Sequence, residues 1–196
     1  MPVQPSLFPD APPPGDHPPG FRYTPDLIDG EEERRLAAGI AALPLKPFEF
    51  HGYLANRRVV SFGYRYDYAQ RAVAAAPDVP SFLLDLRTRV AAWAGVAPDD
   101  FRQLLINEYA PGAGIGWHRD KPQFGLVAGV SLLSPAILRF RRRGAGGWRR
   151  AAAPLAPRSA YLLTGEARAV WEHSIVEGEV LRYSVTFRTL ANDWRP

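Results

Sequence analysis

Asn107-Glu108-Tyr109-Ala110-Pro111-Gly112-Ala113-Gly114-Ile115-Gly116-Trp117-His118-Arg119-Asp120 runs from a strand end, through a turn punctuated by Pro and Gly, into a His-x-Asp pair. Alternate side chains of an extended chain share a face, so Asn107 and Tyr109 point one way, and His118 and Asp120 share a second short arm. An imidazole beside a carboxylate is two-thirds of the two-His-one-carboxylate site that binds non-haem Fe(II) and leaves positions open. This stretch therefore requires a third ligand and a co-substrate pocket from elsewhere in the chain. Around it, from Phe101 onward, short apolar runs alternate with Gly and Pro. The spacing predicts strands over 103–109, 126–133, 136–142, 160–163, 170–175 and 181–189, the pattern of a β-sandwich or barrel.

The 196 residues suffice for one domain with a real core, and 46% hydrophobic and 12% aromatic content make it globular. Without cysteine, disulfide scaffolds, thiolate metal sites and Cys nucleophiles are excluded. Metal ligands must come from Asp, Glu and only four histidines. The start of the chain lacks a basic segment followed by an apolar core, and no apolar run approaches the roughly 20 residues of a membrane span. A cytoplasmic monomer without membrane contact is the expectation. Of 24 basic residues only Lys46 and Lys121 are lysine. Abundant Ala, Gly and Pro point to a GC-rich coding bias, so only clustered arginines carry weight.

Residues 1–25 hold nine of the 20 prolines and no periodic apolar pattern, and read as an extended, disordered tail ahead of a single domain over 26–196. Within the tail, Gln4-Pro5-Ser6-Leu7-Phe8 resembles the Gln-x-Ser-Leu-Phe peptides with which bacterial DNA-maintenance proteins dock on the replication sliding clamp. A plain apolar pair packing on its own domain is the alternative. Asp29 can cap a helix whose first turn carries Glu31, Glu32 and Glu33 and whose stripe is Leu36, Ile40 and Leu43. A second helix is predicted over 81–94, with Gly95 just past its end. Neither helix carries chemistry. Together with the strands they define an α+β domain.

Two arginine-bearing hairpins remain. The segment 48–68 mixes aromatics with Arg57-Arg58 and a Gly break, and reads equally as a base-stacking surface or as an edge hairpin with aromatic cross-strand pairs. The segment 139–150 sets six arginines around a Gly-rich turn, a phosphate-binding candidate or a solvated tip.

His173 lies on a predicted core strand roughly 50 residues after Asp120 and is the natural third ligand. Arg182-Tyr183-Ser184-Val185-Thr186-Phe187-Arg188 follows, placing two arginines on one strand face against Tyr183, Val185 and Phe187 on the other. Buried guanidinium groups are costly without anions to meet them, and a short dicarboxylate answers that need. Asn107-x-Tyr109, the Pro-Gly turn, His118-x-Asp120, His173 and Arg182-x5-Arg188 together resemble the AlkB family of Fe(II)/2-oxoglutarate dioxygenases. The likeness covers residues 100–190, with a weaker echo at 56–64.

The resemblance implies a double-stranded β-helix (jelly-roll) core with supporting N-terminal helices, and Fe(II), 2-oxoglutarate and O2 as cofactor and co-substrates. It implies iron ligation by His118, Asp120 and His173. Asn107, Tyr109, Arg182 and Arg188 would hold 2-oxoglutarate, Arg182 at the distal carboxylate and Arg188 near the metal-bound end. Ser184 replaces an Asn common in the family. The implied activity is oxidative demethylation of N-alkylated bases in DNA or RNA, hence DNA repair. Candidate substrate contacts are Phe50, Tyr53, Arg57, Arg58 and Tyr64 on the aromatic hairpin and Arg141 and Arg142 on the arginine hairpin. Lys121-Pro122 stands where several base-repair members carry an acidic residue, which leaves the substrate open. The alternatives are a dioxygenase acting on a protein or small molecule, and a non-catalytic, clamp-tethered nucleic-acid-binding module.

Overall fold

The computed structural model describes residues 17–50, 53–67, 70 and 72–191, with the side chains of Phe50, Tyr53 and Leu54 excepted. Gln4–Phe8 and the side chains of Phe50 and Tyr53, singled out by sequence, therefore lie outside the described residues. Asp29 caps α1 (Gly30–Ala41) by accepting a 2.8 Å hydrogen bond from the Glu32 N–H. The second helix, α2 (Leu84–Ala94), follows a 3-10 turn at Ser81–Leu83 and stops at Gly95, whose left-handed φ of 81° ends the helix.

Twelve strands make two sheets: β1 (Phe21–Thr24), β2 (Lys46–Phe50), β3 (Tyr53–Asp67), β4 (Ala72–Ala75), β5 (Phe101–Tyr109), β6 (Ile115–His118), β7 (Phe124–Leu132), β8 (Ala136–Gly144), β9 (Gly147–Leu155), β10 (Ala160–Leu163), β11 (Glu172–Ile175) and β12 (Arg182–Leu190). The major sheet runs β1-β10-β7-β12-β5-β3-β2 with β4 on the far part of β3, and the minor sheet runs β6-β11-β8-β9. The architecture is the β-sandwich expected from the strand spacing, in the jelly-roll form that the family resemblance implies.

Period-2 alternation sorts the core into two layers. Leu104, Ile106, Val130, Leu162, Val185 and Phe187 point from the major sheet toward the helices and meet Leu36, Ile40, Leu83, Leu86 and Val90. Their sequence neighbours Tyr109, Val127, Tyr161 and Leu163 point the other way and meet Leu138, Phe140, Ala153 and Ile175 of the minor sheet. The helices thus back the major sheet, which leaves its other face to enclose a site against the minor sheet. Among the described residues no helix is long and apolar enough to cross a membrane.

Two features depart from the sequence reading. Phe21–Thr24 was assigned to the tail, but it pairs with Ala160–Leu163 as the edge strand of the major sheet. Four residues are too few for a period to show, and Phe21 is fixed by an edge-on contact with the Phe140 ring at 5.2 Å, available only in the folded chain. The segment 48–68 is more than an edge hairpin, because residues 58–63 pair with β5 inside the major sheet. At Gly63 (φ 73°), where a Cβ would collide with the Arg102 carbonyl, β3 leaves β5 and continues against β4.

Candidate active site

The register of β12 on β5 pairs Arg182 with Tyr109, Ser184 with Asn107, Thr186 with Leu105 and Arg188 with Gln103. All eight line one open cavity of about 880 Å³ between the sheets. The quartet Asn107, Tyr109, Arg182 and Arg188 is therefore brought together as a block of cross-strand neighbours. On the minor sheet His173 of β11 sits directly opposite His118 of β6, and their ring centroids are 4.3 Å apart. Asp120, two residues beyond β6, places Oδ2 3.5 Å from His173 Nε2. The three candidate ligands thus form a cluster, with His173 and the Asp120 carboxylate buried and His118 half-buried, facing the quartet.

Each member is held by the backbone or by a charge. His118 Nδ1 lies 2.9 Å from the Gly116 carbonyl, which leaves Nε2 to face the cavity. Asp120 Oδ1 accepts from Arg188 Nε at 2.9 Å and Nη2 at 2.7 Å, while Arg188 Nη1 donates to Gln103 Oε1 at 3.0 Å. Arg168, on the short helix α3 (Gly165–Ala169), donates to the carbonyls of Asp120 at 3.3 Å, Lys121 at 2.6 Å and Gly125 at 2.9 Å. This latch fixes the loop that carries Asp120, and only the position of Arg168 in the folded chain reveals it.

The electrostatics favour metal-ready protonation states. Burial lowers the His173 imidazole to about 3, and the neighbouring His118 pushes in the same direction. Burial also lowers His118, against the pull of Asp120. Burial pushes the Asp120 carboxyl up, but Arg188, His173, His118 and Arg168 outweigh it and hold the group well below the usual carboxylate range. At neutral pH the cluster is two neutral imidazoles and one carboxylate, the forms a divalent metal requires. Among the described residues no three such groups already converge as a finished cage. The donor chemistry fits Fe(II), with the free carboxylate oxygen and the two imidazoles on one wall of the cavity.

The anion site is equally defined. Arg182 is 3% exposed, donates through Nε to Ser131 Oγ at 3.0 Å and packs 5.0 Å from the Tyr109 ring centroid. Its Nη1 is buried without a hydrogen-bond partner. A buried cation with an unmet donor is costly unless a ligand supplies an anion, and the dicarboxylate 2-oxoglutarate does so. Arg188 stands at the metal end of the cavity, where its guanidinium binds Asp120 and Gln103. Tyr161 and Ser131, absent from the sequence reading, complete the Arg182 end. Burial and the adjacent Tyr109 raise the Tyr161 phenol to about 12, so it remains a donor.

The nominated substrate residues divide. Arg57 is buried, lines the cavity and stacks 3.9 Å from the Phe48 ring centroid. Arg58 does not line it. One residue along the strand it faces outward, and it binds Glu108 through two hydrogen bonds of 2.6 and 2.8 Å. Tyr64 also lies elsewhere, accepting from Arg102 at 3.1 Å beside a separate shallow depression. Its neighbours Arg65 and Tyr66 line the cavity instead. Arg141 and Arg142 are outside the cavity, paired with Glu172 at 2.6 Å and Glu166 at 2.7 Å. Trp117, Arg119 and Lys121, which sequence reasoning did not single out as contacts, border the cavity. Their nearness to the His-x-Asp pair was the available signal.

Comparison with known proteins agrees with this geometry. Residues 44–188 match the family model described as the 2OG-Fe(II) oxygenase superfamily. The chain is 32% identical over 181 residues to the "Alkylated DNA repair protein ALKBH8 homolog" of Arabidopsis thaliana, covering 80% of this chain and 51% of that protein. It is 29% identical over 168 residues to the Mus musculus "tRNA (carboxymethyluridine(34)-5-O)-methyltransferase ALKBH8", covering 81% of this chain and 24% of the relative. The chain thus spans about half or less of these relatives' lengths. The solved structure of OsALKBH1 has the same fold, with a TM-score of 0.64 at 14% identity, covering 88% of this chain and 98% of that one. With a jelly roll, a His-His-Asp cluster and an arginine awaiting an anion, the chain belongs to the 2OG-Fe(II) oxygenase superfamily as an AlkB-like dioxygenase that uses Fe(II), 2-oxoglutarate and O2.

Proposed function

We propose that this dioxygenase oxidises alkyl groups on nucleobases, with N-methylated bases in DNA or RNA as the substrate class. His118, Asp120 and His173 hold the iron, and Arg182, Tyr109, Asn107 and Tyr161 orient 2-oxoglutarate. Arg188 keeps Asp120 ionised and in place. Iron held there would supply the redox chemistry that links oxidative decarboxylation of 2-oxoglutarate to insertion of one O2 oxygen into a substrate C–H bond. The balance is one N-methyl group, O2 and 2-oxoglutarate giving N-hydroxymethyl, succinate and CO2. The hydroxymethyl group then leaves as formaldehyde and restores the N–H.

The observation that carries the reading is the cavity's combination of ends. Its floor holds the His-His-Asp cluster and the unmet Arg182 donor, and its walls and mouth bring Arg57, Arg65, Arg119 and Lys121 together with Phe48, Tyr66 and Trp117. Aromatic faces among cations suit an extruded base with its phosphates alongside. Methylated single- and double-stranded oligonucleotides, incubated with Fe(II) and 2-oxoglutarate, test it by mass spectrometry. Succinate and formaldehyde release that His118→Ala abolishes is the expected result. Turnover of 2-oxoglutarate with no change in any methylated DNA or RNA refutes it.

A second reading, oxidation of a base in tRNA without loss of the alkyl group, draws on the relatives whose names specify a tRNA uridine. With tRNA as the substrate it appears as a mass gain of one oxygen without formaldehyde.

A further inference from the structure

The outer face of the minor sheet carries a row of arginines interleaved with tryptophans, which the cavity chemistry leaves unused. Leu138 and Phe140 of β8 are buried in the inter-sheet core, so Arg139, Arg141 and Arg143 project from the opposite face. Across β9, Arg150 lies directly opposite Arg141, and Trp148 opposite Arg143. The side chains interleave. The Arg141 Cζ sits 4.5 Å from the ring centroids of both Trp117 and Trp148, Arg139 lies 5.1 Å from Trp117, and Arg143 lies 5.8 Å from Trp148. The result is a ladder Arg139–Trp117–Arg141–Trp148–Arg143 that begins at the cavity wall, where Trp117 also lines the opening.

Two physical points make this more than a solvated hairpin tip. Like charges set directly opposite across strands destabilise a sheet, and Arg141 with Arg150 is such a pair. Glu172, on the neighbouring strand, pairs with Arg141 of that pair, so the charge of the face rests on Arg139, Arg143 and Arg150. Indole stacking also fixes guanidinium planes in advance and so lowers the entropy lost on binding. Trp148, 40% exposed at the tip, is a large apolar group left at the surface beside these charges. Stacked arginines beside an exposed indole are complementary to the phosphates and bases of a single strand.

We propose that this ladder binds the nucleic-acid strand flanking the target base, carrying it from the cavity mouth over the β6 edge onto the outer face of the minor sheet. The proposal rests on the nucleic-acid reading above. It predicts that affinity depends on a surface extending outside the cavity and on oligonucleotide length.

The test uses the full chain loaded with Mn(II), with binding of a 20-nucleotide single strand measured by fluorescence anisotropy from 0.05 to 0.2 M salt. Arg143→Glu with Arg150→Glu should weaken binding by at least about tenfold and lower the log–log salt slope by about 1.4, since each lost phosphate contact on a single strand removes about 0.7. Arg143→Lys with Arg150→Lys keeps the charge and should retain the parental slope, which separates charge loss from misfolding. Parental affinity and slope in the charge-reversed protein overturn this surface and leave the functional reading intact. Absence of oligonucleotide binding by the parental protein overturns both. Ladder-dependent binding to phosphatidylserine vesicles, with oligonucleotides bound independently of the ladder, reassigns the face to lipid and overturns the proposal.

Discussion

Replacing Arg182 with methionine separates ligand binding from folding in a single experiment. Arg182 is buried beneath the cavity with Nε on Ser131 and Nη1 unpartnered. Removing one side of a buried, hydrogen-bonded charge pair costs about 2–5 kcal/mol of binding. The dissociation constant for 2-oxoglutarate should therefore rise roughly 30-fold to several thousandfold. Stability should respond quite differently. The Ser131 hydrogen bond, made by a charged donor, is worth about 1.5–3 kcal/mol, and the desolvated packing on Tyr109 about 2 kcal/mol. Against these stands relief from burying a guanidinium with an unmet donor, which substitution by an apolar side chain of similar volume commonly returns. The terms nearly cancel, so without ligand Tm should shift by no more than about 4 °C. Calorimetric titration of 2-oxoglutarate into the Mn(II)-loaded protein, with thermal melts before and after addition, reads both quantities. Parental affinity in Arg182→Met refutes the assignment of this arginine to the co-substrate. A ligand-free Tm lowered by 10 °C or more, on the order of 3 kcal/mol for a chain of this size, refutes the claim that its burial serves binding.

The remaining predictions address the metal cluster and its supports. Asp120→Asn should abolish Mn(II) binding, followed by electron paramagnetic resonance, while leaving the chain folded, because the amide oxygen still accepts from Arg188. The metal-free protein should lose stability as pH falls from about 6.5 toward 3. In that window an unfolded His173 takes up a proton that the folded site, at about 3, refuses. Asp120, whose folded carboxyl is also depressed, adds to the loss below about pH 4. Denaturant melts across that range should therefore show a monotonic fall on acidification, and a flat profile refutes the burial of His173 and Asp120. Arg168→Met should weaken metal binding and lower stability by about 2–4 kcal/mol, since several loop carbonyls lose their donor at once. Gly129→Ala places a methyl group against the Tyr161 ring across the β7–β10 pair. It should cost about 1–3 kcal/mol in a chemical melt and raise the KM for 2-oxoglutarate by displacing Tyr161 from the cavity.

The contrast between Arg182 and Arg58 shows what kind of information a sequence holds. Asn107 with Tyr109 and Arg182 with Arg188 could be found because each pair is two or six residues apart on a strand, which fixes a shared face before any folding, and the His118-x-Asp120 pair stood out by its motif, with the roles supplied by the family resemblance. His173 followed by elimination in a chain with four histidines and no cysteine. The helix limits were legible in Asp29 and Gly95, whose capping chemistry is local. Arg57 and Arg58 looked equivalent because composition carries no orientation. The register of β3 on β5 sends one into the cavity and the other onto Glu108.

The sequence by itself determined the strand periodicity, the two helices, the ligand types and the order of the motifs, all properties of neighbours along the chain. The tertiary structure decided which residues meet. It set His118 opposite His173, gave Arg188 to Asp120, left Arg182 with an unmet donor, and drew Phe21–Thr24 out of the tail into the sheet. It also paired Arg141 and Arg142 with Glu172 and Glu166 and stacked the arginine hairpin on tryptophans from two other segments. Those contacts join residues far apart in sequence, and their energies depend on register and burial, which exist only once the two sheets have closed.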